Sequence, residues 1–324
     1  MIPKPPPREG NLGFLFIPPY RVQGLSIAGE ATVVQVPELD VCFDMGVCPR
    51  AVLPSKFVAV SHGHMDHIGG LGYFCSQRRF QGMGDATMIC HVGLAASIRK
   101  MMAGFVDLEG QVTPYELIAM EDGEELEIKN NIFLRLFRTE HTDNSAGYVI
   151  YERRSKLKEE FYEMPQEKLR ELKDRGVEIT RILQVPQVAY VGDTAPGPVL
   201  VREDVRKAQI VIAECTFVEP DHRERAKIGK HMHLNDIMEW LPVLECEKLV
   251  LIHLSRRSNL RAARKELSRG VKGSLQDRIE FLMDFQRNKE RYERQEYDAH
   301  RTEQARLAAK AAASPGAGRG RTDE

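Results

Sequence analysis

Four side chains able to bind a metal lie within six positions in Ser61-His62-Gly63-His64-Met65-Asp66-His67. The run follows Phe57-Val58-Ala59-Val60, a short apolar stretch with the β-branched character of a buried strand. Alternate spacing lets His62 and His64 point toward one centre, and Asp66 and His67 toward a second beside it. Imidazole and carboxylate are the donors a zinc-class ion takes. Hydrolytic two-metal sites hold their ions about 3.5–4 Å apart. A histidine-rich surface loop would not require the order H-x-H-x-D-H between an apolar strand and Gly69-Gly70. The chemistry to expect is metal-assisted hydrolysis, with the bond still unnamed.

Further donors follow later apolar runs. His141 comes after Ile132–Phe137, Asp193 after Gln187–Val191, and His253 directly after Leu249–Ile252. Singly these signals are weak, since a histidine at a strand end is commonly a core residue and Gly192-Asp193-Thr194 suits a turn. Taken in order after the first motif, they resemble the metallo-β-lactamase fold. That resemblance implies an α/β, four-layer αββα sandwich of two mixed β-sheets with helices outside and the site at one edge. It also implies a ligand set: His62, His64 and His141 on one ion, Asp66, His67 and His253 on the other, with Asp193 bridging. His91 then reads as structural, and His222 and His300 as solvated.

Bulk composition narrows the classes. The 324 residues carry a formal charge of −1, so binding of polyanions through bulk charge is not expected and any nucleic-acid contact must come from local patches. No run of eighteen apolar residues predicts a membrane span, and the start Met1-Ile2-Pro3-Lys4-Pro5-Pro6-Pro7 lacks the apolar core of a signal peptide. Six scattered cysteines without a C-x-x-C pair read as buried thiols of a reducing cytoplasm.

The elements that must position the donors read as strands at Gly13–Ile17, Ala31–Val36 and Val41–Asp44, the last ending in the turn Asp44-Met45-Gly46. Helices are expected at Leu94–Gly104, Gln166–Lys173 and Leu260–Leu267. The expected organisation is a proline-rich arm over 1–19, a hydrolase domain over 20–285 and a tail over 286–324. Residues 152–187 form a charged insertion within the domain. The mixed charges of Arg287–Glu296 suggest a projecting, solvated helix, and Ala311–Gly320 reads as disordered.

A second cluster is more specific. Ile210–Phe217, containing Glu214-Cys215-Thr216-Phe217, precedes Gly229-Lys230-His231-Met232-His233. With Ser145–Tyr148, Ala189–Thr194 and His253–Arg257, it resembles the ribonuclease Z branch. The segments Gly24–Leu39 and 156–180 look like its short, plant-type form, and the match runs from about residue 20 to 270. The resemblance implies that Glu214 orients His231, that His231 protonates the leaving oxygen, and that Asp66 is both ligand and general base. It implies precursor tRNA as partner, a homodimer and two divalent ions, zinc first. Ser255 and Arg257 would contact substrate, since a guanidinium matches phosphate bidentately. Three departures stand out. Ser258 occupies the place of a tyrosine, the insertion replaces a Gly/Pro-rich arm, and His233-Leu234 stands where hydroxyl residues are common. Arg153, Arg154, Lys156 and Lys158 make a modest basic patch in the insertion.

The reading is thus a di-zinc endoribonuclease that trims precursor tRNA after the discriminator base. The alternative in the same branch is a phosphodiesterase acting on small or other nucleic substrates. A thioester or lactone hydrolase has no evident use for the Glu214–His231 pair, and a non-catalytic scaffold would not require a complete ligand set.

Overall fold

The computed structural model describes residues 2–313. Fourteen strands fall into two sheets. The first comprises β1 (Gly13–Ile17), β2 (Tyr20–Ile27), β3 (Ala31–Val36), β4 (Val41–Phe43), β5 (Phe57–Val60), β6 (Ala86–His91) and β7 (Tyr115–Met120), side by side in chain order. The second comprises β8 (Glu125–Lys129), β9 (Ile132–Arg138), β10 (Ala146–Leu157), β11 (Thr180–Tyr190), β12 (Ile210–Glu214), β13 (Lys248–Ile252) and β14 (Ile279–Phe281), also in chain order. Both are mixed. Antiparallel hairpins give way to parallel pairing from β4 to β7 and from β11 to β14.

Helices cover the outer faces. They are α1 (Met65–Ile68), α2 (Leu71–Phe80), α3 (Val92–Glu109), α4 (Gln166–Asp174), α5 (Glu203–Arg206), α6 (Arg223–Gly229), α7 (Leu234–Trp240), α8 (Leu260–Gly270) and α9 (Phe285–Ala313). The central core lies between the sheets, where Val34, Val36 and Phe43 meet Leu136, Tyr148, Tyr190 and Ile212. One outer core packs Leu71, Phe74, Ile98 and Met102 against the first sheet, and the other packs Ile237, Trp240, Ala263 and Leu267 against the second. Because both faces of the sheets are buried, β12 and β13 read as unbroken apolar runs. This is the expected αββα sandwich.

The layout fixes where chemistry can sit. β9, β11, β12 and β13 run in one direction, so their carboxyl ends share an edge with those of β4 and β5. Ile27 and Leu254 bridge the two sheets at that edge.

Several segments differ from expectation. The strand expected at Gly13–Ile17 is present as β1, but it is fully buried beside β2 rather than part of an arm, and Glu9 accepts from the Arg50 and Ala51 N–H groups. Within the charged insertion β10 and β11 run on as a two-stranded ribbon, paired from Glu152 and Val185 to Leu157 and Thr180, with the helix expected at Gln166–Lys173 beyond them as α4. The 12 residues of β10 carry the chain about 36 Å from the shared edge. Nor is the tail helix free along its length. Asn288 donates to Phe281 O and Leu282 O, Arg291 pairs with Glu280, and Tyr292 meets Phe14 edge-on at 5.6 Å. The expected disorder of residues 311–320 falls largely outside the described residues. Of the cysteines, Cys48 is half-buried and the other five are buried as expected.

Candidate metal centre

Each donor stands just past a strand end, where the backbone leaves the sheet and can turn a side chain into the edge. His62, His64, Asp66 and His67 follow β5, His141 follows β9, Asp193 follows β11 and His253 follows β13. Their ring nitrogens converge. His62 Nε2 lies 2.9 Å from His64 Nδ1, which lies 3.2 Å from His141 Nε2. On the other side His67 Nε2 and His253 Nε2 are 3.3 Å apart, and Asp66 Oδ2 is 3.3 Å from His253 Nε2. Asp193 Oδ2 sits between the groups, 3.8 Å from His62, 3.4 Å from His67 and 3.5 Å from His253.

The outward nitrogens settle which way the lone pairs face. His67 Nδ1 donates to Asp44 Oδ2 at 2.8 Å, and His141 Nδ1 to the Lys230 carbonyl at 3.1 Å. Ser61 Oγ gives its proton to Asp44, so it accepts from His62 Nδ1. Thr216 Oγ1 gives its proton to Glu214, so it accepts from His253 Nδ1 at 3.0 Å. With these tautomers the Nε2 lone pairs of His62, His67, His141 and His253 would point inward, and the short N···N distances are those the edges of a coordination cage would have. With metal–nitrogen bonds of about 2.0–2.1 Å, a tetrahedral edge is roughly 3.3 Å.

Two further observations fit ions there. Asp193 Oδ1 is buried with no hydrogen-bond partner, an uncommon state that a ligated ion would relieve. Asp44, Asp193 and Glu214 are buried carboxylates around the imidazoles, and such charge needs compensation. In the bare site histidines supply it. Burial opposes charging His67, but Asp193 and Asp44 outweigh it and raise its pKa well above the usual value. Burial would raise Asp193, yet His253 and His67 hold it well below the carboxylate range. By contrast, burial and the neighbouring His67 pull His62 down to about 3, leaving a neutral ligand. The residues present fit two divalent ions.

Beside the cage stands the other pair. His231 Nδ1 donates to Glu214 Oε1 at 2.8 Å and lies 3.9 Å from Asp193. Burial works against its charge, but Glu214 prevails and its pKa is pushed up to about 9. Glu214 is pinned in turn by the Thr194 N–H and the Thr216 hydroxyl.

Ser255 and Arg257 follow His253 in a tight turn, with the Ser255 hydroxyl accepting from the Arg257 N–H and the Arg257 side chain exposed. The Ser258 hydroxyl donates to Glu219. His233 replaces a hydroxyl cap for α7: its Nδ1 accepts from Asn235 N while Asp236 accepts from its own N–H, a capping box. His91 likewise caps α3, through Gly93 N. The basic patch of the insertion is largely neutralised, because Arg153 pairs with Glu125, Arg154 with Glu152 and Lys158 with Glu178.

Sequence reasoning passed over Asp44, read only as a turn residue. It accepts from Ser61 N, Ser61 Oγ, His67 Nδ1 and the Tyr190 hydroxyl, and so fixes His67 directly and His62 through Ser61. An acid ending a fully apolar strand was the available signal. Asp44→Asn is expected to weaken metal binding about 10–100-fold, as loss of a carboxylate behind a ligating imidazole does, measured by competition with a chromogenic chelator.

Fold and donor set together define a metal-dependent hydrolase of the metallo-β-lactamase fold. Residues 51–273 match the family model described as anti-Pycsar protein Apyc1. Among curated proteins, tRNase Z TRZ1 of Arabidopsis thaliana is 32% identical over 241 residues, covering 74% of this chain and 86% of that protein. Human tRNase Z, short form, superposes with a TM-score of 0.51 at 17% identity, over 76% of this chain and 93% of that one. Zn(2+)-bound PqqB from Methylobacterium extorquens gives 0.50 at 13% identity, over 83% and 96%. The chain belongs to the ribonuclease Z-like family of these hydrolases. Among the described residues no helix is long and apolar enough to cross a membrane.

Proposed function

We propose that this protein is a two-metal endoribonuclease that removes the 3′ trailer of precursor tRNA. The observation that carries the reading is the Glu214–His231 pair beside Asp193, since a ribose 3′-oxygen leaves poorly unless it is protonated. Two divalent ions, zinc being well suited to this donor set, would supply an activated water and neutralise charge building on the phosphate. Asp66 is placed to hold the proton of the attacking water. Attack at phosphorus breaks the bond to the 3′-oxygen, which takes its proton from His231 Nε2 while Glu214 keeps the ring oriented. The products are a tRNA 3′-hydroxyl and a trailer 5′-phosphate. Arg257 and Ser255 would meet the flanking phosphates.

A second reading, a phosphodiesterase of the same branch with another substrate, is favoured by the match to the Apyc1 model and by the acid-paired arginines of the ribbon. Incubating metal-loaded protein with a 3′-extended precursor tRNA and mapping both ends decides between them. A cut after the discriminator base supports the first reading. An intact precursor with bis(p-nitrophenyl) phosphate hydrolysed would overturn it in favour of the second.

The reading includes a homodimer. Gly72 packs so closely on the Phe105 ring that a Cβ there would come within 2.4 Å of it, and Ser76 meets Glu109 at 3.1 Å. α2 and α3 therefore lie side by side, and this layer exposes Tyr73, Phe80, Leu108 and Val112 by 57%, 86%, 85% and 69%. An apolar patch of this kind marks an interaction surface. Phe80→Glu is expected to convert the dimer to monomer in sedimentation velocity with the far-ultraviolet spectrum unchanged.

A further inference from the structure

The end of β2 and the turn that joins it to β3 do more than close the sheet edge, because their polar atoms reach the cluster of candidate donors. Ser26 Oγ accepts from the His253 N–H at 3.0 Å, and the Gly29 N–H donates to Asp66 Oδ2 at 2.9 Å. Asp66 Oδ2 is the oxygen that faces His253 and His67. Ala28 N donates to Leu254 O, and Glu30 pairs with Arg256, so the turn is latched to the loop that carries His253. Among the described residues no hydrogen bond links Ser26, Gly29 or Glu30 to His62, His64 or His141.

Both residues it touches need holding. His253 has φ 58°, a left-handed conformation that costs a non-glycine residue about 1 kcal/mol or more and persists only where surroundings over-determine it. One restraint is the Thr216 hydroxyl on its ring, and Ser26 supplies another on its backbone. Asp66 lies at the start of the four-residue α1, too short a helix to fix a carboxylate by itself. Ser26 is 1% exposed and meets Thr32 Oγ1 at 3.2 Å, so its hydroxyl is itself held in place.

We infer that the end of β2 and the turn that follows it form a positioning element for one half of the metal centre, the half made of Asp66, His67 and His253, with Ser26 of β2 and the Gly29 N–H of the turn as its working groups. Asp44 serves both halves, holding His67 directly and His62 through Ser61, whereas Asp66 and His253 are the donors this segment restrains and His141 is held through the Lys230 carbonyl. The inference rests on the two-ion reading of the site.

The test is a zinc titration of the full-length apoprotein, followed by native mass spectrometry for ion count and by chelator competition for affinity. Wild type should take up two ions; uptake of one only would sink the two-ion reading itself. Ser26→Ala, a near-isosteric change, should leave one step as in wild type and weaken the other about 10–100-fold. Ser26→Thr, which keeps the hydroxyl, should restore most of the loss. Should Ser26→Ala fail to fold, Glu30→Ala and Arg256→Ala, both on the surface, should weaken the same step to a smaller degree. Equal loss at both steps, or no loss at either with two ions bound, overturns the inference.

Discussion

Replacing Asp193 with asparagine is expected to remove most metal binding and to lower phosphodiester cleavage by roughly 10³-fold or more, as loss of several kcal/mol of charge stabilisation implies. The side chain is isosteric, so the effect isolates charge. Asp193 Oδ2 stands within 3.9 Å of a nitrogen of His62, His67, His231 and His253, and among the described residues no other carboxylate is within 4 Å of both His62 and His253. Its Oδ1 has no protein partner to lose. The amide would put a neutral oxygen or an N–H donor where two bound ions would share negative charge. Two measurements separate this from unfolding. Zinc should raise the melting temperature of wild type, because a ligand bound only to the native state stabilises it by mass action. The variant should melt as a folded protein whose midpoint zinc barely moves. A variant that keeps both ions and near-normal cleavage would remove Asp193 from the bridging position.

The candidate donors were legible because they follow apolar strands: His253 directly, His62, His141 and Asp193 within three residues, and His64, Asp66 and His67 in the segment that leads from β5 into α1. Parallel strands in a sandwich bring those ends to a common edge, so order along the chain becomes proximity in space. Where that pattern was diluted, the sequence was harder to read. β2 has Arg21, Gln23 and Ser26 among its apolar residues, and these polar groups are spent on Glu38, Gln35 and His253. A pattern scan sees only a broken alternation. Asp44 looked like a turn residue because nothing local shows that three later residues donate to it.

The ends of the chain teach a similar lesson. α9 looked solvated because charged and amide residues dominate it, yet Asn288, Arg291 and Gln295 use that polarity to satisfy strand carbonyls and Glu280 at the sheet edge. Burial by hydrogen bonding leaves no hydrophobic stripe to read. The insertion is legible as charged but not as a ribbon, since pairing partners on opposite strands lie far apart in sequence, from 23 residues for Leu157 and Thr180 to 33 for Glu152 and Val185. β10 leaves the edge that carries the candidate donors, so its 12 residues take the far end of the ribbon about 36 Å along the strand from that edge.

His231→Ala is expected to lower kcat about 10²–10⁴-fold, the contribution of a positioned general acid, while both ions stay bound. The geometry separates the two effects. His231 is tied to Glu214 at 2.8 Å but contributes no atom to the short nitrogen contacts of the cage, so its removal leaves the ligands and their outward hydrogen bonds in place. The pH profile sharpens the test. A general acid must carry its proton, and the Glu214 carboxylate, against the cost of burial, pushes the pKa of His231 up to about 9. Activity owed to the acid is therefore full below that pKa and falls as pH rises through it. Glu214→Gln takes away the charge responsible, so the alkaline limb should move to lower pH and kcat at neutral pH should drop. In His231→Ala the limb assigned to this group should vanish. A substrate with a leaving group of low pKa, such as bis(p-nitrophenyl) phosphate, has little need of protonation and should lose far less rate in the variant than a precursor with a ribose 3′-oxygen. Equal losses on both would mean that His231 serves the metal centre rather than the leaving group.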